Sequence, residues 1–319
     1  MAFNQSILVY LAEHRSGFLT AIFQGITFMG GVEGYLIVIA FLYTVFKKRI
    51  AINASLVVLI TMIANHLLKS IIQNPRPFTA DGSYVEMWAV SASQAAELAA
   101  EFSTPSGHAM AAAAFYAYLL GQVRSTAARF TMTATIVLIG LSRPVLGVHY
   151  VEDILLGWVL GVGMAVLATS HVDRTWERWC SVSVSLHIAA VIALSVSVWL
   201  ITWAVTGQQA SALPIEFVGV LGFLSGVCVA APIEASHVEY APASQSLSVR
   251  LLSFVLMTAV LAGLVVAFDE LTAQLDMKTT VFASVWRYLQ YTLIGAVGVL
   301  LIPWLLVKMK WSKLPAVTS

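Results

Sequence analysis

The stretch from Ser142 to Asp153 places an arginine, a histidine and an aspartate between two very apolar segments. Charged side chains beside membrane spans are costly and are usually kept for function. His149 and Asp153 are four residues apart, a spacing that puts both on one face of a helix. An aspartate that accepts the Nδ1–H of a histidine leaves Nε2 available as a base or nucleophile. The alternative is an ion pair that caps a helix at a membrane surface.

A second cluster pairs Lys69 with Arg76, which is flanked by Pro75 and Pro77. Proline lacks an N–H and disfavours helix at the preceding residue. We therefore predict that the chain turns there and that Arg76 comes back toward Lys69. The alternative is two cations whose long side chains reach the membrane surface independently.

A third cluster runs from Ser103 to His108. Thr104 is predicted to be the N-cap of a helix, with Pro105 at the first helical position. Ser106 and Gly107 would then offer backbone N–H groups at a helix start, where anions bind readily. The alternative is an ordinary capped helix start followed by a surface histidine.

The composition indicates which elements carry these clusters. Of the 319 residues, 59% are hydrophobic and 10% are charged, whereas soluble domains carry about 25% charged residues. The chain is therefore predicted to be an integral membrane protein. A net charge of +1 gives no indication of nucleic-acid binding. The two cysteines, Cys180 and Cys228, are expected to be buried small side chains without a disulfide framework, and we predict no removable signal peptide.

Nine segments are predicted to be membrane-spanning helices. Their approximate bounds are 31–46, 51–72, 106–123, 130–147, 151–171, 183–205, 214–233, 250–272 and 286–307. Residues 1–30 are predicted to form interfacial amphipathic helix, and the polar stretch 73–105 is not expected to cross the membrane. Within that stretch, residues 85–100 are a candidate short helix above the site.

The distribution of basic residues predicts the orientation. Counting Lys and Arg at the connections gives eleven at one set of ends and six at the other. Because the richer side is normally cytoplasmic, the N-terminus is predicted outside and the C-terminus inside. All three clusters then lie at the outer face. Three cations and a set of N–H groups match a phosphate dianion.

Together the clusters resemble the three-part signature of the type 2 phosphatidic acid phosphatase (PAP2) superfamily, over roughly residues 17–170. This superfamily includes membrane lipid phosphatases, glucose-6-phosphatase and vanadium haloperoxidases. The matching parts are Lys69-x6-Arg76-Pro77, Pro105-Ser106-Gly107-His108 and Ser142-Arg143-x5-His149-x3-Asp153. The expected fold is an all-α polytopic membrane bundle of about nine helices. A six-helix PAP2-like catalytic core (1–173) would be followed by a three-helix extension (174–319).

The resemblance implies a catalytic role for three residues. His149 would attack phosphorus and form a phosphohistidine, while Asp153 would hold its Nδ1–H. His108 would protonate the leaving oxygen and then activate water. The residues expected to bind the phosphoryl oxygens are Lys69, Arg76, Ser106, Gly107 and Arg143. No metal or other cofactor is implied, and the neighbouring carboxylates Glu101 and Glu152 are expected to be solvated.

The predicted function is hydrolysis of a lipid phosphate or diphosphate monoester at the outer face, with a phosphorylated lipid and membrane lipids as partners. The expected location is a bacterial inner membrane with the active site facing the periplasm. A sugar-phosphate phosphatase resembling glucose-6-phosphatase is one alternative, since Pro-Ser-Gly-His-Ala-Met (105–110) is similar to that enzyme. A lipid phosphotransferase would use the same histidines. An anion transporter is the alternative from another class.

Overall fold

The structure, a computed structural model, describes residues 5–79, 98, 99, 101–207, 215–275, 281–309 and 311. Over these residues the secondary structure is helical, without strands. The predicted all-α class is confirmed. Most of the candidate helix at 85–100 lies outside the described residues.

The helices are numbered in chain order along the described residues. Their bounds are α1 (Ser6–His14), α2 (Gly17–Phe28), α3 (Val32–Phe41), α4 (Lys48–Ile72), α5 (Gly107–Leu120), α6 (Thr126–Val145), α7 (Val151–Cys180), α8 (Val184–Thr206), α9 (Ile215–Ile233), α10 (Leu247–Gln274), α11 (Val281–Ala296) and α12 (Ile302–Lys308). Three π-helical turns continue α3, α9 and α11, at Leu42–Phe46, Glu234–Val238 and Val297–Leu301.

Serine residues define where several of these helices begin. In each case the serine Oγ accepts a hydrogen bond from the backbone N–H three residues later, which satisfies one of the unpaired donors of the first turn. The capping residues are Ser16, Ser106, Ser125, Ser183 and Ser246.

Most of the nine predicted spans are confirmed as apolar helices long enough to cross a membrane. Among the described residues, six helices are long and apolar enough to cross a membrane, and they correspond to six of the nine predicted spans. A seventh would be the pair α2 and α3, which are bent by 54° at their junction. The two remaining predicted spans, 106–123 and 130–147, coincide with α5, which has only 14 residues, and with α6.

The described residues form two compact units. One contains Met1–Tyr35 and Ile60–Ser170, and the other contains Leu36–Leu59 and His171–Ser319. All three predicted clusters belong to the first unit. The division of function at residue 173 stays a prediction.

Helix α5 lies in the core of the first unit. Its alanine-rich face is buried, and Phe115 packs edge-on against Tyr35 with 5.1 Å between ring centroids. Glycines on α7 allow close approach, because a Cβ at Gly157 would lie 3.0 Å from the Ser106 carbonyl oxygen and one at Gly161 would overlap the Met110 carbonyl oxygen. The Gly157-x3-Gly161 spacing therefore serves packing within the unit that holds the clusters.

The second unit has its own buried ion pair. Lys48 Nζ lies 2.8 Å from Glu234 Oε1, and the Glu234 side chain is 0% exposed while that of Lys48 is 27% exposed. Glu234 also accepts the Tyr240 backbone N–H at 2.8 Å. The carboxylate is therefore paired and hydrogen-bonded, as a buried charge must be.

Candidate active site

His149 and Asp153 are in contact, but not across one face of a helix. His149 Nδ1 lies 3.2 Å from Asp153 Oδ2, and His149 precedes the first residue of α7, Val151. Asp153 lies in the first turn of α7 and its Oδ2 also accepts the Tyr150 N–H at 2.9 Å. This return bond resembles half of a capping box. The predicted contact is confirmed, and the capping bond explains how Asp153 is aimed at His149.

Two hydroxyls complete the environment of Asp153, which is fully buried. Ser103 donates to Asp153 Oδ2 and Thr104 donates to Oδ1. Asn74 in turn donates to Thr104 Oγ1 at 3.0 Å. Both carboxylate oxygens are therefore bonded, and the orientation of Asp153 is fixed from several sides.

The other nitrogen of His149 faces Arg76. Nε2 lies 3.1 Å from Arg76 Nη1, which also donates to the Val148 carbonyl oxygen at 3.2 Å. A guanidinium can only donate, so Nε2 must accept and the proton of a neutral ring resides on Nδ1, facing Asp153. This is the tautomer that a nucleophilic Nε2 requires.

The charge of His149 follows from its surroundings. Burial lowers the pKa of His149 well below its ordinary value of 6.5, and the positive charges of Arg76, Arg143 and Lys69 lower it further. The Glu101 carboxylate opposes these effects. The imidazole is therefore neutral at neutral pH, with a lone pair on Nε2.

Lys69 and Arg76 meet at one carboxylate oxygen. Glu101 Oε2 lies 2.6 Å from Lys69 Nζ and 3.3 Å from Arg76 Nη2. The predicted turn that returns Arg76 toward Lys69 is confirmed. The expectation that Glu101 is solvated was wrong, because its side chain is only 27% exposed and bridges both cations. The Lys69 ammonium lowers the pKa of the Glu101 carboxyl to about 2, against the opposing effect of burial.

The start of α5 differs from the prediction by two residues. The N-cap is Ser106, whose Oγ accepts the Ala109 N–H, and not Thr104, whose hydroxyl is bound to Asp153. The Ser106 N–H donates to the Asp153 carbonyl oxygen at 3.1 Å. It is therefore already used, and the first-turn N–H groups without an intrahelical acceptor include those of Gly107 and His108.

Gly107 and His108 lie against other parts of the first unit. A Cβ at Gly107 would lie 3.2 Å from Asn65 Oδ1, and Asn65 donates to the Pro105 carbonyl oxygen at 3.0 Å. The His108 ring lies beside Gly30, where a Cβ would be 3.2 Å from His108 Cδ2.

Arg143 enters the same region from the last turn of α6. It is buried, and its Nη1 donates to Thr27 Oγ1 on α2. Its Nε is buried without a hydrogen-bond partner among the described residues. Nearby, Arg15 donates to the Val145 carbonyl oxygen at 2.9 Å and so binds the last turn of α6.

The structure thus brings most of the predicted site residues together. Lys69 and Arg76 are joined through Glu101. Arg76 contacts His149, His149 contacts Asp153, and the Asp153 carbonyl oxygen accepts the Ser106 N–H. Arg143 acts on His149 through its charge. Five additional partners hold these residues, and the sequence interpretation did not place them in the site. These partners are Thr27, Asn74, Glu101, Ser103 and Thr104.

Comparison with known proteins gives the family. The PAP2 superfamily model matches residues 50–177, and a model described as the PAP2 superfamily phosphatase, transmembrane extension, matches residues 218–314. The chain therefore belongs to the PAP2 superfamily of membrane phosphatases, as the three-part signature indicated.

Two solved structures are similar to part of the chain. The first transmembrane PAP2 type phosphatidylglycerolphosphate phosphatase from Bacillus subtilis is 26% identical, with a TM-score of 0.43, over 53% of this chain and 84% of that chain. Aquifex aeolicus LpxE is 18% identical, with a TM-score of 0.44, over 54% of this chain and 97% of that chain. No curated protein matches the chain.

Proposed function

We propose that the protein hydrolyses a lipid phosphate or diphosphate monoester through a phosphohistidine at His149. One observation carries this proposal: His149 is held between Asp153 on Nδ1 and Arg76 on Nε2, with Lys69 reaching the same region through Glu101. A neutral histidine with an oriented Nε2 beside clustered cations is suited to attack on a phosphoryl group.

In the first step, the Nε2 lone pair of His149 forms a bond to phosphorus. The bond from phosphorus to the leaving oxygen breaks, and His108 donates a proton to that oxygen. The ring of His149 becomes positively charged, and the Asp153 carboxylate stabilises it through the Nδ1–H. Lys69, Arg76 and Arg143 offset the negative charge on the phosphoryl oxygens.

In the second step, His108 accepts a proton from water as the water oxygen attacks phosphorus. The phosphorus–nitrogen bond breaks, phosphate leaves and His149 returns to its neutral form. The N–H groups of Gly107 and His108 at the start of α5 are further donors for the phosphoryl oxygens. The Ser106 side chain caps α5, so its role in this proposal is to hold that helix start in position.

The proposed reaction uses the protein's cations in place of a metal ion. Among the described residues, no group of three or more His, Cys, Asp or Glu side chains is placed to hold a metal. Three basic side chains acting on one histidine supply the positive charge that such a transition state needs.

A lipid substrate fits a site that is built between apolar helices. The cluster is contributed by the last turns of α4 and α6 and the starts of α5 and α7, so a phosphate head could reach it while the tail stays among the spans. We place this end of the helices at the outer face, which in a bacterium is the periplasmic side of the inner membrane. The proposal assigns the chemistry to residues 1–173 and no catalytic role to residues 174–319.

The test is phosphate release by purified protein in detergent, with a chelator present. The panel contains phosphatidic acid, phosphatidylglycerophosphate, a polyprenyl diphosphate, a sphingoid phosphate and glucose 6-phosphate. We expect release from a lipid by the wild type and none by His149→Ala. Release from glucose 6-phosphate alone would replace the lipid assignment, and release that required a divalent metal would contradict the proposed chemistry.

A further inference from the structure

Glu101 contacts two of the three cations of the site. Its Oε2 is 2.6 Å from Lys69 Nζ and 3.3 Å from Arg76 Nη2. Its backbone carbonyl oxygen also accepts from Arg76 Nε, at 3.2 Å. Arg76 therefore holds this residue by both its side chain and its main chain.

The two cations that bind Glu101 are those that the proposed function assigns to the phosphoryl oxygens. A carboxylate and a phosphoryl group are the same kind of ligand for them, since both present anionic acceptor oxygens to N–H donors. An oxygen of the substrate on Lys69 and Arg76 would therefore lie where Glu101 Oε2 lies in the structure.

The donors of Arg76 are largely committed. Nε bonds the Glu101 carbonyl, Nη1 bonds the Val148 carbonyl and His149 Nε2, and Nη2 bonds the Glu101 carboxylate. A guanidinium has five N–H bonds, so a bidentate contact with phosphate requires one of these partners to leave. Nη1 gives up His149 Nε2 only when that nitrogen attacks phosphorus, so before the attack the Glu101 side chain is the partner able to leave, because it is 27% exposed.

We propose that Glu101 is a resident competitor for the phosphoryl group. Its carboxylate holds Lys69 and Arg76 in position and is displaced when a phosphoryl group binds. The inference rests on the proposed function and adds to it: Glu101 weakens the hold on product phosphate and favours ligands with enough negative charge to displace a carboxylate. A role limited to orienting Lys69 makes the opposite prediction, namely weaker phosphate binding when Glu101 is removed.

The test measures binding of inorganic phosphate to the full chain in detergent by calorimetry. Glu101→Gln keeps the size of the side chain and removes the competing charge. We expect it to bind phosphate about tenfold more tightly than the wild type, which corresponds to about 1.4 kcal/mol. Glu101→Asp, whose shorter side chain reaches the cations less well, is expected to show a smaller gain, and it serves as the second variant if Glu101→Gln does not fold.

The matched control is Glu152→Gln. This substitution also removes one negative charge, at the residue that precedes Asp153 in the sequence. Glu152 forms no ion pair with Lys69 or Arg76 among the described residues. We expect its phosphate affinity to stay within twofold of the wild type. An equal gain in this control would overturn the inference, because general electrostatics would then explain the effect.

The outcomes separate this inference from the proposed function. Phosphate release by the wild type, with Glu101→Gln binding phosphate no more tightly, would overturn the role of Glu101 alone. No phosphate binding by any variant and no release from any substrate would overturn both. Tighter binding by Glu101→Gln, with a lower inhibition constant for phosphate in the release assay, supports both.

Discussion

Replacing Asp153 by asparagine tests how the site activates His149. Asp153 Oδ2 accepts from Ser103, the Tyr150 N–H and His149 Nδ1, so the asparagine oxygen is expected to take this position and keep the ring oriented. The amide nitrogen then faces Thr104, which loses its acceptor. The variant therefore keeps most of the geometry and removes the negative charge.

The size of the effect follows from the His149–Asp153 contact of 3.2 Å. In the proposed intermediate the ring is cationic, and two unit charges about 4 Å apart attract by about 4 kcal/mol at an effective dielectric constant of about 20. Loss of this attraction is expected to lower kcat by about 10³-fold, since each 1.36 kcal/mol is about tenfold. KM should change little, because Asp153 does not contact the phosphoryl group.

The assay is phosphate release at saturating substrate, with thermal unfolding measured in the same detergent. Ser103→Ala is the control, because it removes one donor to Asp153 but leaves the charge, and we expect less than about a tenfold loss. A folded Asp153→Asn variant with kcat within tenfold of the wild type would refute the reasoning. So would an equal loss in the Ser103→Ala variant.

Three further predictions concern the cations, the buried pair and pH. Arg76→Lys is expected to lower kcat/KM about 10²-fold in the release assay with the fold intact, because one ammonium cannot replace a guanidinium that bonds through three nitrogens; wild-type activity would contradict this. In the second unit, Lys48→Met should lower the unfolding temperature more than Glu234→Gln, since it leaves a fully buried carboxylate unpaired; the reverse order in thermal scans would refute the asymmetry. Because the pKa of His149 is lowered in the folded protein, an unfolded chain binds a proton there first as pH falls below 6.5, so stability is lost in that range. Between pH 6.5 and 5, the wild type should lose up to about 2 kcal/mol more than His149→Asn, measured by chemical unfolding; equal losses would count against a neutral, buried His149.

The motifs predicted the composition of the site better than its local geometry. Spacing alone indicated that His149 and Asp153 touch and that the prolines return Arg76 toward Lys69. The expectation that His149 and Asp153 lie on one helix face was wrong, because α7 begins only at Val151, where Asp153 accepts the Tyr150 N–H. The predicted N-cap at Thr104 failed because a tertiary hydrogen bond to Asp153 competes with the local capping preference.

Partners from distant parts of the chain were the least predictable. Glu101 looked like a surface carboxylate in the sequence, since nothing local indicates that Lys69 and Arg76 lie on either side of it. Thr27 and Arg143 are 116 residues apart in the sequence, and only the packing of α2 on α6 brings them together. Helix α5 was predicted as a span of 18 residues and has 14, because Ser106 is its N-cap and the helix already ends at Leu120, before Gly121.

The most direct test of the central claim is to trap the phosphorylated protein. Protein is mixed with a lipid phosphate labelled with ³²P and quenched in alkaline detergent, conditions under which phosphohistidine survives and phosphoaspartate does not. His108→Gln is tested with a lipid diphosphate as well, because a leaving phosphate needs no proton from His108, and slower attack by water should then increase the labelled fraction. We predict an alkali-stable, acid-labile label on the peptide that contains His149, and none in His149→Asn. Turnover without such a label in the wild type and in His108→Gln would contradict the assignment of His149 as the nucleophile. A label on another residue would contradict it as well.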